Sequence, residues 1–321
     1  MRPDHEASPV DALRQRLSAA RARIAPFLHR TPLWPSRRLS EAAGRPILLK
    51  LDNLQKTGSF KVRGFMHKVL AHREASDAGL LTFSSGNAAQ GLAYAAQCAG
   101  VRAVVVMTPG ANPAKVAATR GYGAEVVFAE SLEHIAATAT ALATREGLTL
   151  LHPYDDEELM VGHASLGLEL LEEMPQGATV VTAVGGGGMA GGLSLVAEAY
   201  GAPQRLIVTE PTGSTQLLTA LEAGHPVPVP GRSIAEGLAP PIIGTACFEL
   251  IRRNMAAAVL VDDDEIRGAM RRLLECGKML AEPSGAAALA AALSGRIDGD
   301  EPLVVIVSGG NIDLERLKSL L

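Results

Sequence analysis

Aromatic residues are scarce, at 3% of the chain with a single tryptophan, so a core must be built from Ala, Val, Leu and Ile. Cysteine is almost absent. Cys98, Cys247 and Cys276 lie far apart without C-x-x-C spacing, which argues against a disulfide framework or a thiolate-held zinc and fits a reduced compartment. The eight histidines show no H-E-x-x-H spacing. Positive charge is not in excess: 30 Lys and Arg stand against 34 Asp and Glu, for a net charge of −4. With no basic cluster interleaved with aromatics, nucleic-acid binding is not expected. No run of 18 apolar residues occurs, so no membrane-spanning helix is expected. Residues 1–6 lack the apolar stretch of a signal peptide, and a cytoplasmic protein is expected.

The chain is rich instead in small apolar residues, glycine and proline. Apolar types make up 47%, and 33 glycines with 19 prolines mark many tight loops. At 321 residues it is long enough for two domains or one large one. An amphipathic, arginine-rich helix is expected over 11–27, with Leu13, Leu17, Ala20 and Ile24 on its apolar face. Thr31, Pro32 and Leu33 end it. Strands are expected at 46–51, 80–83, 101–107, 125–128, 149–151, 179–184, 205–209, 257–261 and 303–307. Helices at 60–73, 87–99, 113–120, 131–145, 157–174 and 189–200 alternate with them, and 224–241 reads as a loop. This alternation predicts an α/β fold, a parallel sheet with helices on both faces. The strands are continuous apolar runs, as buried parallel strands should be.

Ligands of open α/β sheets sit at the carboxyl ends of strands, and four loops there or at helix starts carry chemistry. In the first, Lys61 follows Gly58, Ser59 and Phe60. Ser59 reads as the N-cap of the helix, which puts Lys61 in the first turn near the positive end of the dipole. That position and burial against Phe60 both lower a lysine pKa, as a Schiff-base or proton-accepting amine requires; the plain alternative is a helix-start lysine. In the second loop, Ser84, Ser85, Gly86, Asn87 and Ala88 join a strand to a helix. They form either a carboxylate or phosphate receptor of backbone N–H groups or a polar cap. The third contains Gly185, Gly186, Gly187, Gly188, Met189, Ala190, Gly191 and Gly192, which reads as backbone wrapped round a phosphate. Gly186, Gly188 and Gly191 also satisfy G-x-G-x-x-G, with Glu210 farther on, so a nicotinamide dehydrogenase is a distant alternative. The fourth loop holds Ser308, Gly309, Gly310 and Asn311. Ser308 offers a hydroxyl to a ring nitrogen, or the loop is a plain glycine turn.

An activated lysine, a phosphate cradle, a carboxylate loop and a hydroxyl for a ring nitrogen suit pyridoxal phosphate. With Glu282, Pro283, Ser284, Gly285 and Ala286, these motifs span almost the whole chain. It resembles the fold type II pyridoxal-phosphate enzymes of the serine/threonine dehydratase and serine racemase group. The resemblance implies two open, mostly parallel sheets flanked by helices. A large cofactor-binding domain would comprise 1–52 and 154–321, and a smaller mobile domain 53–153. It implies that Lys61 carries the cofactor as a Schiff base and moves the Cα proton, with Phe60 packed beside the ring. Asn87 would bond the 3-hydroxyl, and Gly185, Gly186, Gly187, Gly188 and Met189 would hold the phosphate. Ser308 would face the pyridine nitrogen. Ser84, Ser85, Gly86, Asn87 and Ala88 would take the substrate carboxylate, and Ser85 matches the second base of the racemases. The implied reaction is β-elimination from a β-hydroxy amino acid such as L-threonine or L-serine, giving a 2-oxo acid and ammonia, by a cytoplasmic homodimer.

Two departures qualify this. Ala88 stands where the group has histidine, which predicts extra room and a larger or atypical substrate. For the group's divalent cation, Glu210 and the Ser214 carbonyl match, but Gln216 replaces an aspartate, so only a weak site is expected. The chain ends ten residues past Asn311, and no effector domain is expected after the core, which favours a catabolic role. A racemase uses the same parts. A β-replacement synthase fits less well, because its threonines are missing from the glycine and asparagine loops. A non-catalytic pyridoxal-phosphate binder is the non-enzymatic alternative.

Overall fold

The computed structural model describes residues 8–72, 78–201 and 205–321. Its strands are β1 (Leu33–Pro35), β2 (Ile47–Leu51), β3 (Leu80–Phe83), β4 (Ala103–Met107), β5 (Glu125–Phe128), β6 (Thr149–Leu150), β7 (Thr179–Ala183), β8 (Arg205–Pro211), β9 (Met255–Val261) and β10 (Leu303–Val307). They form two sheets, ordered β1-β2-β10-β7-β8-β9 and β5-β4-β3-β6. Every pairing among these strands is parallel except that of the edge strand β1 with β2. The two-sheet α/β architecture expected from the sequence is the one found.

Alternation along the strands explains why both faces must be covered. In β10, Val304 and Ile306 enter one apolar cluster, with residues of the helices Glu157–Glu173 and Gly188–Tyr200. Leu303, Val305 and Val307 enter another, with the helix Pro283–Leu293. The smaller sheet repeats the pattern, sending Val105 and Met107 to one side and Val104 and Val106 to the other. A strand that is apolar on both faces needs helices on both.

Local signals account for most element boundaries. The first helix, Pro9–Ile24, starts two residues before the expected position because Ser8 caps it, accepting from Asp11 N, with proline in the first turn. The strand β1 and the helix Arg37–Ala43 were not expected. Pro32 and Pro35 bracket a three-residue strand that only an edge position tolerates. The helix expected over 60–73 is Lys61–Ala71; residue 73 lies outside the described residues, as does the 1–6 stretch read for a signal peptide.

The helix Lys61–Ala71 is gripped by glycines on two sides. A Cβ on Gly162 would fall 2.6 Å from the Arg63 carbonyl oxygen and 2.7 Å from the Gly64 Cα. One on Gly91 would fall 3.3 Å from the backbone of Lys61 and Val62. The helices Glu157–Glu173 and Asn87–Ala99 therefore pack backbone-close against the helix that carries Lys61. Charge then locks it. Arg63 is 1% exposed. Its Nε and Nη2 donate to Asp52 at 2.7 and 2.9 Å, and its Nη1 to Glu169 at 2.7 Å and to Ser165 at 3.1 Å. Lys50, also buried, reaches Glu169 and Glu173 at 2.8 Å each. Asp52 directly follows β2 and Glu169 lies on the helix Glu157–Glu173, so Arg63 ties the Lys61 helix to the larger sheet.

Removing one partner of such a network leaves an uncompensated buried charge, at about 3–5 kcal/mol. Arg63→Met is expected to lower unfolding stability by about that amount in urea titration. An unchanged midpoint would contradict the account of this network.

Candidate active site

The four loops meet. Ser59 and Gly309 form an antiparallel bridge, Phe60 N donates to the Ser308 carbonyl at 3.0 Å, and Gly310 N donates to the Gly58 carbonyl at 2.9 Å. Asn311 Nδ2 donates to the Thr57 carbonyl at 2.7 Å and to Asn87 Oδ1 at 2.8 Å, joining the second loop to the fourth. On the other flank, Lys61 Nζ donates to the Pro153 carbonyl at 2.8 Å. It stands 5.3 Å from the Phe60 ring centre and 6.0 Å from that of Tyr154. The Tyr154 ring lies against Gly186, so the glycine run closes the circle.

The expected cap is corrected. Ser59 is extended, at φ −162° and ψ 161°, and its buried hydroxyl has no partner; Phe60 occupies the cap position. The bridge to Gly309 holds Ser59 out of a capping conformation. Lys61 still opens the helix. Its amine has no carboxylate partner, and burial lowers its pKa to about 8.

The glycine run has protein neighbours as well as a ligand-shaped bend. A Cβ on Gly185 would meet the Gly237 carbonyl at 2.8 Å, one on Gly186 the Tyr154 ring at 2.2 Å, and one on Gly187 the Cys247 Cβ at 2.6 Å. Close packing thus excuses glycines that the sequence reading assigned to a ligand alone. Gly187 takes φ +97° and the helix Gly188–Tyr200 begins next. The amides of Gly188, Met189 and Ala190 are therefore first-turn N–H groups with no acceptor inside the helix. Such a turn receives an anion. Together with the depressed Lys61 amine, the buried Ser308 hydroxyl and the Asn87 amide, it fits pyridoxal phosphate.

The pattern that defines the family "Pyridoxal-phosphate dependent enzyme" matches residues 24–309. The chain belongs to that family. This pyridoxal-phosphate enzyme is 38% identical over 299 residues to an L-threonine ammonia-lyase of Geobacter sulfurreducens, covering 92% of this chain and 74% of that one. It is 34% identical over 316 residues to the catabolic L-threonine dehydratase TdcB of Staphylococcus aureus, covering 95% and 90%. Among solved structures, the threonine deaminase of T.th. superposes with a TM-score of 0.87 at 39% identity, covering 94% of this chain and 98% of that one. Maize serine racemase superposes at 0.90 and 32%, covering 95% of each.

In this pyridoxal-phosphate enzyme the second loop is partly turned on itself. Ser84 Oγ accepts from Gly86 N at 3.2 Å. Ser85 Oγ accepts from Thr108 N at 3.0 Å and lies 3.1 Å from the Thr108 hydroxyl. Ala88 is 3% exposed, within the cluster that holds Phe65, Leu92 and Leu159. The extra room expected beside it is thus not open space: its methyl packs in the core, and its backbone amide belongs to the first turn of the helix. Ser308 Oγ makes only a long 3.5 Å contact to the Ser284 carbonyl.

Glu210 is not placed for the ribose role. It is 1% exposed, and its two oxygens accept from the amides of Leu217 and Leu218 at 2.7 and 3.1 Å. Burial raises its pKa to about 7 against those bonds. A carboxylate capping a helix in the interior cannot reach a ribose, which removes the dinucleotide fingerprint. At the weak cation site expected beside it, Gln216 is likewise engaged by protein. Gln216 donates to the Pro240 carbonyl, and its Oε1 accepts from Ser214 Oγ at 2.9 Å. No cluster of three or more His, Cys, Asp or Glu suited to a metal occurs among the described residues.

Sequence reasoning missed Tyr154, the Pro153 carbonyl and His163. The last is buried, with its ring 4.9 Å from Phe60 and both nitrogens unpartnered. None of these lies in a glycine loop, and only tertiary packing brings them to Lys61.

Below its pKa the Lys61 amine is protonated and unreactive toward an aldehyde; above it the neutral form dominates. The rate of imine formation with pyridoxal phosphate is expected to climb tenfold per pH unit up to about pH 8 and then level, as visible absorbance would record. A rate still climbing at about pH 10 would mean an unperturbed lysine.

Proposed function

We propose that this enzyme is an ammonia-lyase of β-hydroxy amino acids of the L-threonine and L-serine type, releasing a 2-oxo acid and ammonia. The observation that carries the reading is the Lys61 amine, buried without a counter-ion at the meeting point of four loops. The named threonine ammonia-lyase and threonine dehydratase relatives support the substrate class.

When bound, pyridoxal phosphate supplies an aldehyde that takes an amine as an imine and a ring that draws electrons from the neighbouring carbon. The chain supplies the rest. The amides of Gly185, Gly186, Gly187, Gly188 and Met189 would receive the phosphate. Ser308 would give its hydroxyl to the pyridine nitrogen, Phe60 would pack beside the ring, and Asn87 would address the ring oxygen. The amides that open the helix Asn87–Ala99, with Ser84, Ser85, Gly86 and Ala88, hold the substrate carboxylate. Lys61, neutral above about pH 8, would take the proton from Cα, and the β-hydroxyl would leave as water, its added proton balancing the one lost from Cα.

Ser85 is the residue on which a racemase reading turns, since it would serve the opposite face of Cα. Its bonds to Thr108 support the lyase, because a hydroxyl held there is not poised as a base. The likeness to maize serine racemase keeps inversion as the second reading. Residues 53–153 form the proposed smaller, mobile unit; the Arg63 bonds tie its helix Lys61–Ala71 to the larger sheet and so count against movement of that helix. A cytoplasmic homodimer is the proposed working form; no helix among the described residues is long and apolar enough to cross a membrane.

A panel of β-hydroxy amino acids assayed for 2-oxo acid release and for chirality inversion tests the reading. Release on L-threonine or L-serine should exceed inversion, and Lys61→Ala should lose the visible chromophore and roughly a thousandfold or more of turnover. Inversion without release would favour the racemase. Turnover surviving in Lys61→Ala would refute the role of that lysine.

A further inference from the structure

A buried carboxyl that the proposed reaction does not use lies beside Asn87. Glu282 is 7% exposed and immediately precedes the helix Pro283–Leu293. Its Oε1 accepts from Asn87 Nδ2 at 2.5 Å. Asn87 Oδ1 accepts from Asn311 Nδ2 at 2.8 Å, and the same Asn311 nitrogen donates to the Thr57 carbonyl at 2.7 Å.

One end of this series is a backbone carbonyl, which can only accept. It turns the Asn311 nitrogen toward Thr57, and the two N–H groups of Asn311 go to Thr57 and Asn87. Asn87 must then face Asn311 with its oxygen and Glu282 with its nitrogen. Its oxygen is turned toward Asn311, and its nitrogen keeps one N–H beyond the bond to Glu282. The carboxyl fits here because residue 309 is glycine: a Cβ there would fall 2.2 Å from Glu282 Oε1, and the Gly309 carbonyl accepts from Glu282 N at 3.1 Å. Burial pushes the Glu282 carboxyl above its ordinary range, while the charge of Lys115 and the Asn87 bond pull against that.

We infer that Glu282 is a positioning residue: with Asn311 it orients the Asn87 amide so that Asn87 meets the cofactor's ring oxygen as a hydrogen-bond donor only. The inference rests on the reading of Asn87 given above. A donor at that oxygen favours its anionic form over the neutral hydroxyl, because hydrogen bonds to the charged form lower a pKa.

The test is the dissociation constant and visible spectrum of bound pyridoxal phosphate in Glu282→Gln, Glu282→Leu and Asn311→Leu, with the fold of each apoprotein checked by circular dichroism and thermal melting. Gln retains an acceptor for Asn87, and is expected to stay within about threefold of the wild-type constant with its visible band intact. Glu282→Leu frees the amide to turn. It should weaken binding about tenfold, the equivalent of one hydrogen bond, and shift visible intensity toward the near ultraviolet. Asn311→Leu should move both readouts in the same direction from the other end. Wild-type constants and spectra in Glu282→Leu would overturn the assignment, as would a Gln variant as damaged as the Leu one. If Glu282→Leu does not fold, Asn311→Leu decides by the same criterion. A wild-type protein that gains no visible band overturns the reading of the site itself, and the assignment with it. A normal wild type beside an unaffected Glu282→Leu overturns the assignment alone.

Discussion

Lys61 and Arg63 stand two positions apart, and on an α-helix that interval is about 200° of rotation. The two cations therefore leave the same helix in opposite directions. Arg63 enters the interior and binds Asp52, Glu169 and Ser165. Lys61 turns to the loops and finds a backbone carbonyl and two aromatic rings. The guanidinium is what holds this helix in register against β2 and the helix Glu157–Glu173. If the helix rotated or slid, the lysine would leave its place among the four loops. The network also keeps its own charge matched: buried Arg63 and Lys50, with the more exposed Arg30, face Asp52, Glu169 and Glu173. It is weak evidence for stability and strong evidence for a fixed geometry.

The electrostatics of the site follow from what is withheld from Lys61. Nearby carboxyl groups are engaged elsewhere: Glu282 with Asn87, Asp155 with the amides of Thr245 and Ala246. An amine buried with no counter-ion is driven toward its neutral form. A carboxylate next to it would reverse that. The same economy of partners appears in His163, an unpartnered imidazole behind the Lys61 helix whose pKa burial drives well below its ordinary value. Neutrality on this flank leaves the first turn of the helix at Gly188 and Met189 as a site suited to negative charge.

Much of the fold was legible because its strands are continuous apolar runs punctuated by glycine loops, as in Leu303–Val307 followed by Ser308 and Gly309. The four loops were legible for the same reason. What could not be read is what non-local contacts decide. Ser59 satisfies the local rule for a cap, yet a bridge to Gly309, from the far end of the chain, overrides it. Arg63 sits inside a motif that drew attention to Lys61, but its role depends on Asp52 and Glu169, which no local pattern links. Glu210 matched the dinucleotide motif by spacing and does not serve it, because the helix Gln216–Ala223 folds back onto its carboxylate. Ala88 lies within an apolar cluster, a burial that spacing alone does not reveal. Gly186 and Gly187 were read as a ligand cradle, although Tyr154 and Cys247 also forbid a side chain there.

Covalent mapping tests the central claim most directly. Protein incubated with pyridoxal phosphate near pH 8, where the Lys61 amine loses its proton, then reduced with borohydride and digested, should carry the phosphopyridoxyl group on one peptide, at Lys61. Label spread over the exposed lysines, or concentrated on another residue while Lys61 stays unmodified, would contradict the account.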